Sequence, residues 1–302
     1  MRTLFAIMLL AFAASPVVAQ TKTDDAAQNP VLFLESARKL LRWDEPAEPA
    51  RIAGPIYFVG TQGLSVYLIT GSEGHIILNT GMPGSGPLIE ASIRKLGFKP
   101  EDVKLLLVGH AHVDHAGGHA HLAKVCKAQV AVIGEEKELL ESGGKTDFHY
   151  GSVKEFQFDP VKVGRVFKDG EEIKLGDIAL TALLTAGHTR GSTTFAMNIV
   201  VDGKPHLVLF PNGTSVNPGY RVTKNPSYAG IGDDYRRTFR VLDSLKPGIW
   251  LMPHNEAFGY KDKLARSEKE GINAWVDPVG YAKWLKAARD KFDDAVDREQ
   301  KE

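Results

Sequence analysis

Cysteine is nearly absent from this chain: its 302 residues include one, Cys126, which excludes an internal disulfide. Structural zinc sites favour cysteine ligands, so a closed structural zinc site is disfavoured as well. Stability must come mainly from burying apolar surface, and 43% hydrophobic residues suffice for the core of one large domain. Cys126 ends an amphipathic stretch, HLAKVC, and is expected to be a buried structural thiol rather than a ligand or nucleophile.

The chain also lacks an excess of charge of either sign. Its 37 Lys and Arg residues balance 37 Asp and Glu residues. Nothing in this balance favours a polyanionic nucleic acid or an anionic membrane surface. We therefore expect a small-molecule partner, no nucleic-acid partner, no membrane partner, and a monomer.

Long apolar runs are absent except at the amino terminus. The first residues, MRTLFAIMLLAFAASPVVAQ, combine one cation, Arg2, with an apolar stretch and small residues before Gln20. A membrane anchor needs about 20 apolar residues, and this shorter run is broken by Ser15 and Pro16. The layout is typical of a secretory signal cleaved after Ala19, so residues 1–19 are predicted to be a signal peptide.

Linkers and low-complexity tracts are missing from the body of the chain, which favours a single domain over residues 20–302. Residues 20–53 are expected to form an arm, and residues 278–302 a helix with a charged, frayed tail. Short apolar, β-branched runs alternate with amphipathic helical stretches in both halves. We predict an α/β (α+β) fold of two mixed β-sheets packed face to face with helices outside. The strand candidates are GPIYFVG, LSVYLIT, HIILNT, KLLLVG, QVAVI, IALTALLT, STTFAMNIVV, HLVLFP and GIWLMP.

Three histidines and an aspartate crowd the segment HAHVDH, which directly follows the apolar run LLLVG. Histidine nitrogen and aspartate oxygen are good zinc ligands. In an extended loop His110, His112 and Asp114 project to one side, while His115 is one step out of phase. One metal cannot readily use all four side chains, so the spacing favours two metals.

Two further histidines follow apolar runs elsewhere: His188 in LLTAGHTRG and His254 in IWLMPHNE. Three strand ends that carry histidine are hard to explain by packing alone. Zinc with an open position lowers the pKa of bound water and polarises a carbonyl, so the pattern indicates a hydrolase. His119 and His121, on the next helix, are expected to cap that helix or face solvent.

The segments HAHVDHAGG, GHTRGSTTF and PHNEAFGY, in this order, resemble the metallo-β-lactamase superfamily over about residues 56–265. The resemblance implies an αββα sandwich with a dinuclear zinc site at one edge. After HLVLF, the stretch LFPNGTSVNPGY lacks the aspartate common in the thioesterase and lactonase branches. It also lacks the cysteine ligand of the first two β-lactamase subclasses. The remaining pattern, with YAGI and DDYR, is similar to subclass B3 of the class B β-lactamases.

This resemblance implies roles for individual residues. Asn79 departs from the usual DTG motif, and Asp114 would also orient the attacking hydroxide. Thr214, Ser215 and Asn217 are candidates for the substrate carboxylate, although turn chemistry explains them equally well. His149 and Tyr150 lie where a loop overhangs the site, with a plain surface loop as the alternative. The implied ligands are His110, His112 and His188 for the first zinc, and Asp114, His115 and His254 for the second.

The implied function is hydrolysis of the β-lactam amide of penicillins, cephalosporins and carbapenems by a hydroxide held between two Zn²⁺ ions. Such an enzyme would act in the periplasm and confer antibiotic resistance. A lactonase or a glyoxalase II-like thioesterase on the same fold is the alternative enzyme. A secreted zinc-binding protein with a silent site is an alternative of another class.

Overall fold

The computed structural model describes residues 29–302. Within that range no helix has both the length and the apolar character that crossing a bilayer requires. The predicted signal peptide, residues 1–19, lies outside the described residues, as does the first part of the predicted arm.

Seven strands form one mixed sheet and lie across it in chain order. They are β1 (Ala50–Ala53), β2 (Ile56–Phe58), β3 (Tyr67–Gly71), β4 (Gly74–Leu78), β5 (Val103–Leu107), β6 (Gln129–Ile133) and β7 (Arg165–Phe167). The pairs from β1 to β4 are antiparallel. The pairs from β4 to β7 are parallel. The carboxyl ends of β4, β5 and β6 therefore meet at one edge, where ligands commonly bind.

Five strands form the second sheet. They are β8 (Glu172–Leu175), β9 (Ile178–Leu184), β10 (Thr193–Val201), β11 (Lys204–Phe210) and β12 (Ile249–Trp250), in the order β12-β11-β10-β9-β8. The β11–β12 pair is parallel and the other pairs are antiparallel. β12 is shorter than the GIWLMP run because the chain leaves β11 there and crosses towards the first sheet.

Aromatic side chains from the two sheets meet in the core. Tyr67 of β3 and Phe210 of β11 have ring centroids 5.1 Å apart. Phe167 of β7 and Phe195 of β10 are 6.0 Å apart. All four are buried, so the sheets pack face to face over an apolar interior.

Helices cover the outer faces. They are α1 (Pro30–Leu40), α2 (Ser85–Lys95), α3 (Val113–Ala116), α4 (His119–Cys126), α5 (Lys137–Glu141), α6 (Ile231–Ser244), α7 (Tyr260–Glu270) and α8 (Pro278–Lys301). On one side α4 packs with α2 and against β5 and β6, and on the other α8 contacts α6 and β12. The arrangement confirms the predicted αββα sandwich.

The carboxyl-terminal helix differs from the prediction. α8 runs without interruption to Lys301, where a frayed tail was expected. The carboxylate of Glu299 accepts hydrogen bonds from the backbone N–H groups of Val222, Thr223 and Lys224. This contact fixes the last turn of α8 to the loop that precedes α6, so the tail prediction was wrong.

Candidate metal centre

The HAHVDH segment begins as an extended loop after β5 and then turns into a helix. Asn79, at the end of β4, accepts a hydrogen bond at its Oδ1 from the N–H of Gly109, 3.0 Å away. His112 is extended, with φ −83° and ψ 160°, and α3 begins at the next residue. The sequence predicts that His115 points away from His110 unless the chain turns there, and α3 provides that turn. The helical turn brings the two rings to a centroid distance of 4.3 Å.

A cluster of three histidines lies where this loop meets the segment after β9. The His188 ring is 4.6 Å from that of His110 and 4.7 Å from that of His112, centroid to centroid. Each of the three offers a ring nitrogen, and these nitrogens lie within 4.8 Å of one another. All three residues are buried, so one metal ion would be held in a protected position.

A second cluster lies beside the first. Asp114 Oδ2 is 3.0 Å from His115 Nε2 and 3.5 Å from His254 Nε2. Ligand atoms of His110, Asp114 and His115 also lie within 4.8 Å of one another. The structure therefore brings together all the ligands that the resemblance implied.

His254 reaches this edge because the chain crosses from the second sheet to the first. The carbonyl of Pro253 accepts a hydrogen bond from the N–H of Ser65, 2.7 Å away. His254 itself forms an isolated antiparallel bridge with Leu64. This backbone pairing, together with the ring of Trp43 at 5.3 Å, holds the imidazole beside Asp114.

Hydrogen bonds to three ring nitrogens identify which nitrogen of each imidazole is free for a metal. His188 Nδ1 lies 2.8 Å from the backbone carbonyl of Ser215, which can only accept, so Nδ1 carries hydrogen and Nε2 is free. His112 Nε2 lies 3.2 Å from the carboxylate of Asp147, which frees Nδ1. His110 Nδ1 lies 3.2 Å from Asn212 Oδ1, which frees Nε2. Such partners orient metal ligands and fix their tautomers.

A metal fits these residues. His110 Nε2, the nitrogen left free for a metal, is buried and has no hydrogen-bond partner among residues 29–302, a costly state without a ligand. Burial, reinforced by neighbouring histidines, lowers the pKa of His110 well below its usual range and that of His188 to about 3. Burial also lowers the pKa of His254 to about 4. The rings of His110, His188 and His254 are therefore neutral near pH 7, as coordination requires. For His112 the Asp147 carboxylate outweighs burial and raises the pKa.

Asp114 is the acid of the site. Burial opposes its ionisation, but the adjacent His115 and His254 outweigh burial and lower the pKa of the carboxyl far below its usual range. An ionised carboxylate accepts hydrogen bonds and cannot donate them. Asp114 can therefore hold a metal or accept a hydrogen bond from water.

Glu136 ties the two ligand loops together, and its role was not predicted. Its carboxylate accepts hydrogen bonds from the N–H of Ala111, the hydroxyl of Thr189 and the N–H of Gly191. Burial raises the pKa of this carboxyl to about 7 even though these donors act to lower it. The available signal was the position of GEE, directly after β6 at the same sheet edge as HAHVDH.

Asn79 shows how the departure from DTG is accommodated. The residue has φ +64°, a left-handed conformation that asparagine tolerates better than most residues. Its amide oxygen accepts the Gly109 hydrogen bond without a charge. Asn79 thus supports the backbone leading to the ligands.

A cavity of about 450 Å³ opens over the two clusters. Thr214, Ser215 and Asn217 line it, and Ser215 Oγ lies 3.1 Å from His188 Nδ1. Tyr150 lies behind the wall, where its ring stacks on Phe156 at 4.0 Å. His149 packs beside Tyr220, with ring centroids 4.9 Å apart.

The remaining candidates on α4 are structural. His119 is fully buried, with Nδ1 2.7 Å from the hydroxyl of Thr80, so the expectation that it caps the helix or faces solvent is wrong. His121 is partly exposed and lies 3.4 Å from a carboxylate oxygen of Glu90. Cys126 is buried, as predicted, and burial raises the pKa of its thiol to about 11.

Comparisons with known proteins identify the family. A family model described as the metallo-beta-lactamase superfamily matches residues 59–199. The FEZ-1 metallo-beta-lactamase from Legionella gormanii is 39% identical over 85% of this chain and 98% of that chain, with a TM-score of 0.83. BJP-1, a subclass B3 metallo-beta-lactamase of Bradyrhizobium japonicum, is 36% identical over 86% of this chain and 98% of that chain, with a TM-score of 0.81.

This chain is also similar to a curated protein whose name gives another activity. The acyl-coenzyme A thioesterase MBLAC2 of Gallus gallus is 26% identical over 200 residues, which is 61% of this chain and 69% of that protein. These relatives are all similar to this chain, and their names give different substrates. The chain belongs to the metallo-beta-lactamase superfamily.

Proposed function

We propose that this chain is a β-lactamase that uses two zinc ions to hydrolyse the amide bond of penicillins, cephalosporins and carbapenems. The observation that carries the proposal is the ligand set: three histidines in one cluster, and an aspartate with two histidines in the other. The likeness to FEZ-1 and BJP-1 over nearly their whole lengths supports the same reading.

The segment after β11 favours a β-lactamase over the thioesterase and lactonase branches. Where those branches commonly have an aspartate, this chain has Asn212, which makes a hydrogen bond to His110 through its amide oxygen. A neutral amide supports a ligand but does not bridge two cations as a carboxylate does. The six ligands outlined above are then sufficient, without a bridging acid.

The chain's own residues would divide the work as follows. Bound zinc lowers the pKa of a water molecule and polarises the substrate carbonyl. His110, His112 and His188 would hold one ion, and Asp114, His115 and His254 the other. The ionised Asp114 carboxylate would accept a hydrogen bond from the attacking water and so orient it. Hydroxyls of Thr214 and Ser215 would donate hydrogen bonds to the substrate carboxylate from the cavity wall.

Export belongs to the same proposal. A β-lactamase protects a cell when it acts before the antibiotic reaches its target outside the cytoplasm. The signal-like residues 1–19 would deliver the chain to the periplasm, where it would confer antibiotic resistance.

Acyl-thioester hydrolysis is the second candidate. It is favoured by the 26% identity to the acyl-coenzyme A thioesterase MBLAC2. A lactonase is favoured more weakly, since the N-acyl homoserine lactonase of Bacillus cereus is 33% identical over 76 residues, 30% of that protein.

A hydrolysis panel on zinc-reconstituted protein tests the proposal. We expect turnover of nitrocefin and imipenem that a chelator abolishes, and little turnover of an acyl-coenzyme A or an acyl homoserine lactone. Asp114→Asn should lower kcat for β-lactams by about a hundredfold or more, because the second ion loses its anionic ligand and the attacking water loses its acceptor. The exposed Asp294→Asn is the matched control and should leave kcat unchanged. Folded, zinc-loaded protein that ignores β-lactams and hydrolyses thioesters would overturn the proposal.

A further inference from the structure

Two helices from opposite ends of the described chain line the cavity over the metal centre. From α1 and the residue after it come Phe33, Ala37 and Leu41, spaced four residues apart. From α8 come Trp284, Ala288 and Lys291, spaced four and three residues apart. Residues at this spacing share one helix face, so each helix turns a continuous strip towards the cavity.

Apart from Lys291, the residues of the two strips present apolar surface to the cavity. Phe33, Ala37, Leu41 and Ala288 are only partly buried, although each lines a space that reaches the ligand histidines. Trp284 is also partly buried, and its ring stacks on Trp250 at a centroid distance of 5.5 Å. A rigid aromatic ring beside an open apolar cavity is the usual lining of a small-molecule site.

Lys291 gives this apolar region a positive charge. Among residues 29–302 it makes no ion pair and no side-chain hydrogen bond, whereas Lys286 on the same helix is paired with Asp290. The acids that line the cavity, Asp114 and Glu256, lie in or directly beside the ligand segments. Within residues 29–302, Lys291 is the one lysine or arginine that lines this cavity.

We propose that the α1 and α8 strips form a side-chain subsite that takes an apolar, aromatic substituent bearing a carboxylate, with Lys291 as the residue that selects for the carboxylate. The proposal rests on the proposed β-lactamase function for its substrate class. The subsite is continuous with the metal centre, so a substrate whose amide lies over the histidines can extend its acyl side chain between the helices. Lys291 is a specificity-determining residue here and takes no part in bond breaking.

A binding experiment tests the subsite without turnover. The probes are anilinonaphthalene sulfonate and phenylnaphthylamine, which share an aromatic skeleton and differ by the anionic group, titrated by fluorescence into the zinc-loaded chain. We expect Lys291→Gln to weaken sulfonate binding about fivefold, as for an exposed ion pair, and to leave the neutral probe unaffected. Trp284→Ala should weaken both probes by about tenfold.

Lys283→Gln, also exposed on α8 but away from the cavity lining, is the matched control and should bind both probes like the parent chain. Lys291→Arg should restore sulfonate binding. Unchanged sulfonate affinity in Lys291→Gln, or an equal loss for both probes, would overturn the charge selection. Unchanged affinity of both probes in Trp284→Ala would overturn the subsite itself.

Kinetics then separate this inference from the proposed function. Benzylpenicillin and carbenicillin carry the same phenyl ring, and carbenicillin adds a carboxylate beside it. We expect Lys291→Gln to raise KM for carbenicillin about fivefold with kcat unchanged, and to leave KM for benzylpenicillin within twofold. An equal rise in KM for both penicillins contradicts the subsite while leaving the β-lactamase proposal intact. Absence of any turnover contradicts the proposed function, and the probe titrations still decide the subsite.

Discussion

Glu136 holds two ligand loops through one buried carboxylate, which accepts hydrogen bonds from Ala111, Thr189 and Gly191. Glu136→Gln keeps the shape but turns an amide NH₂ towards a backbone N–H, so one buried donor loses its acceptor. We expect the free energy of unfolding to fall by about 1–3 kcal/mol. Zinc affinity should fall by about tenfold or more because the loops are less well positioned.

Denaturant titration and zinc competition with a chromophoric chelator measure these two losses. Glu135→Gln, at the exposed neighbouring residue, is the control and should match the parent chain in both. Parent-like stability and zinc affinity in Glu136→Gln would show that the carboxylate does not organise the loops.

Among single residues, the sequence predicts a functional role where a metal-ligand side chain also stands at the end of a strand. The ligand histidines can be found because each follows an apolar strand, and strand ends meet at one edge. The partners of those histidines cannot, because Asp147 and Asn212 contact them only after separate loops have folded over the site. His119 was wrongly predicted because a polar side chain near a helix start usually caps the helix or faces solvent, whereas this one is buried against Thr80.

The fixed end of α8 leads to a prediction at the scale of an element. Burial of Glu299 opposes its ionisation, but the backbone N–H groups of Val222, Lys224 and Thr223 outweigh burial and lower the pKa of the carboxyl. A lowered folded pKa means that the contact is fully stabilising above the unfolded pKa, about 4.5. The stabilisation is lost as pH falls below that value, because the unfolded chain then binds more protons.

We therefore expect Glu299→Gln to lose about 1–3 kcal/mol of unfolding free energy at pH 7 and to lose less at pH 4. Chemical denaturation at the two pH values measures the difference. Glu302→Gln, which removes only an exposed ion pair with Arg221, is the control and should change stability by less than about 1 kcal/mol. An equal loss at both pH values contradicts the role assigned to the charge.

A strand or helix could be predicted from the sequence where one regular spacing of apolar residues ran along its whole length. The nine candidate strands and α6 follow their apolar patterns, whereas three short strands, β1, β7 and β8, were not predicted. β1 lies at the end of residues 20–53, which were expected to form an arm. HAHVDH changes conformation within six residues, from extended at His112 to helical at Val113, and no short-range pattern signals the change. The charged end of α8 was predicted to be a tail because the backbone that binds it, at residues 222–224, lies about 75 residues away in sequence.

Several histidines are buried in the folded chain in their neutral form. The free energy of unfolding therefore depends on both metal and pH. Burial lowers the pKa of His119 and His254 to about 4 and that of His188 to about 3, against 6.5 for an unperturbed histidine. Groups with a lowered folded pKa stabilise fully above about pH 6.5. Between that pH and about 4, the unfolded chain binds more protons than the folded one, so stability falls as the pH falls.

The metal-free chain should therefore lose unfolding free energy steeply from pH 7 to pH 5, by up to about 1.4 kcal/mol per pH unit for each such histidine. Adding zinc at about a hundredfold excess over its Kd should add about 2.7 kcal/mol for each ion bound at pH 7, through binding to the folded state. Denaturant unfolding with chelator and with zinc, across this pH range, gives both quantities. His119→Gln separates the two effects, because it removes one buried histidine outside the ligand set. It should reduce the pH slope of the metal-free chain while keeping the zinc-dependent gain, and a slope that stays unchanged would mean that the buried histidines are not its source.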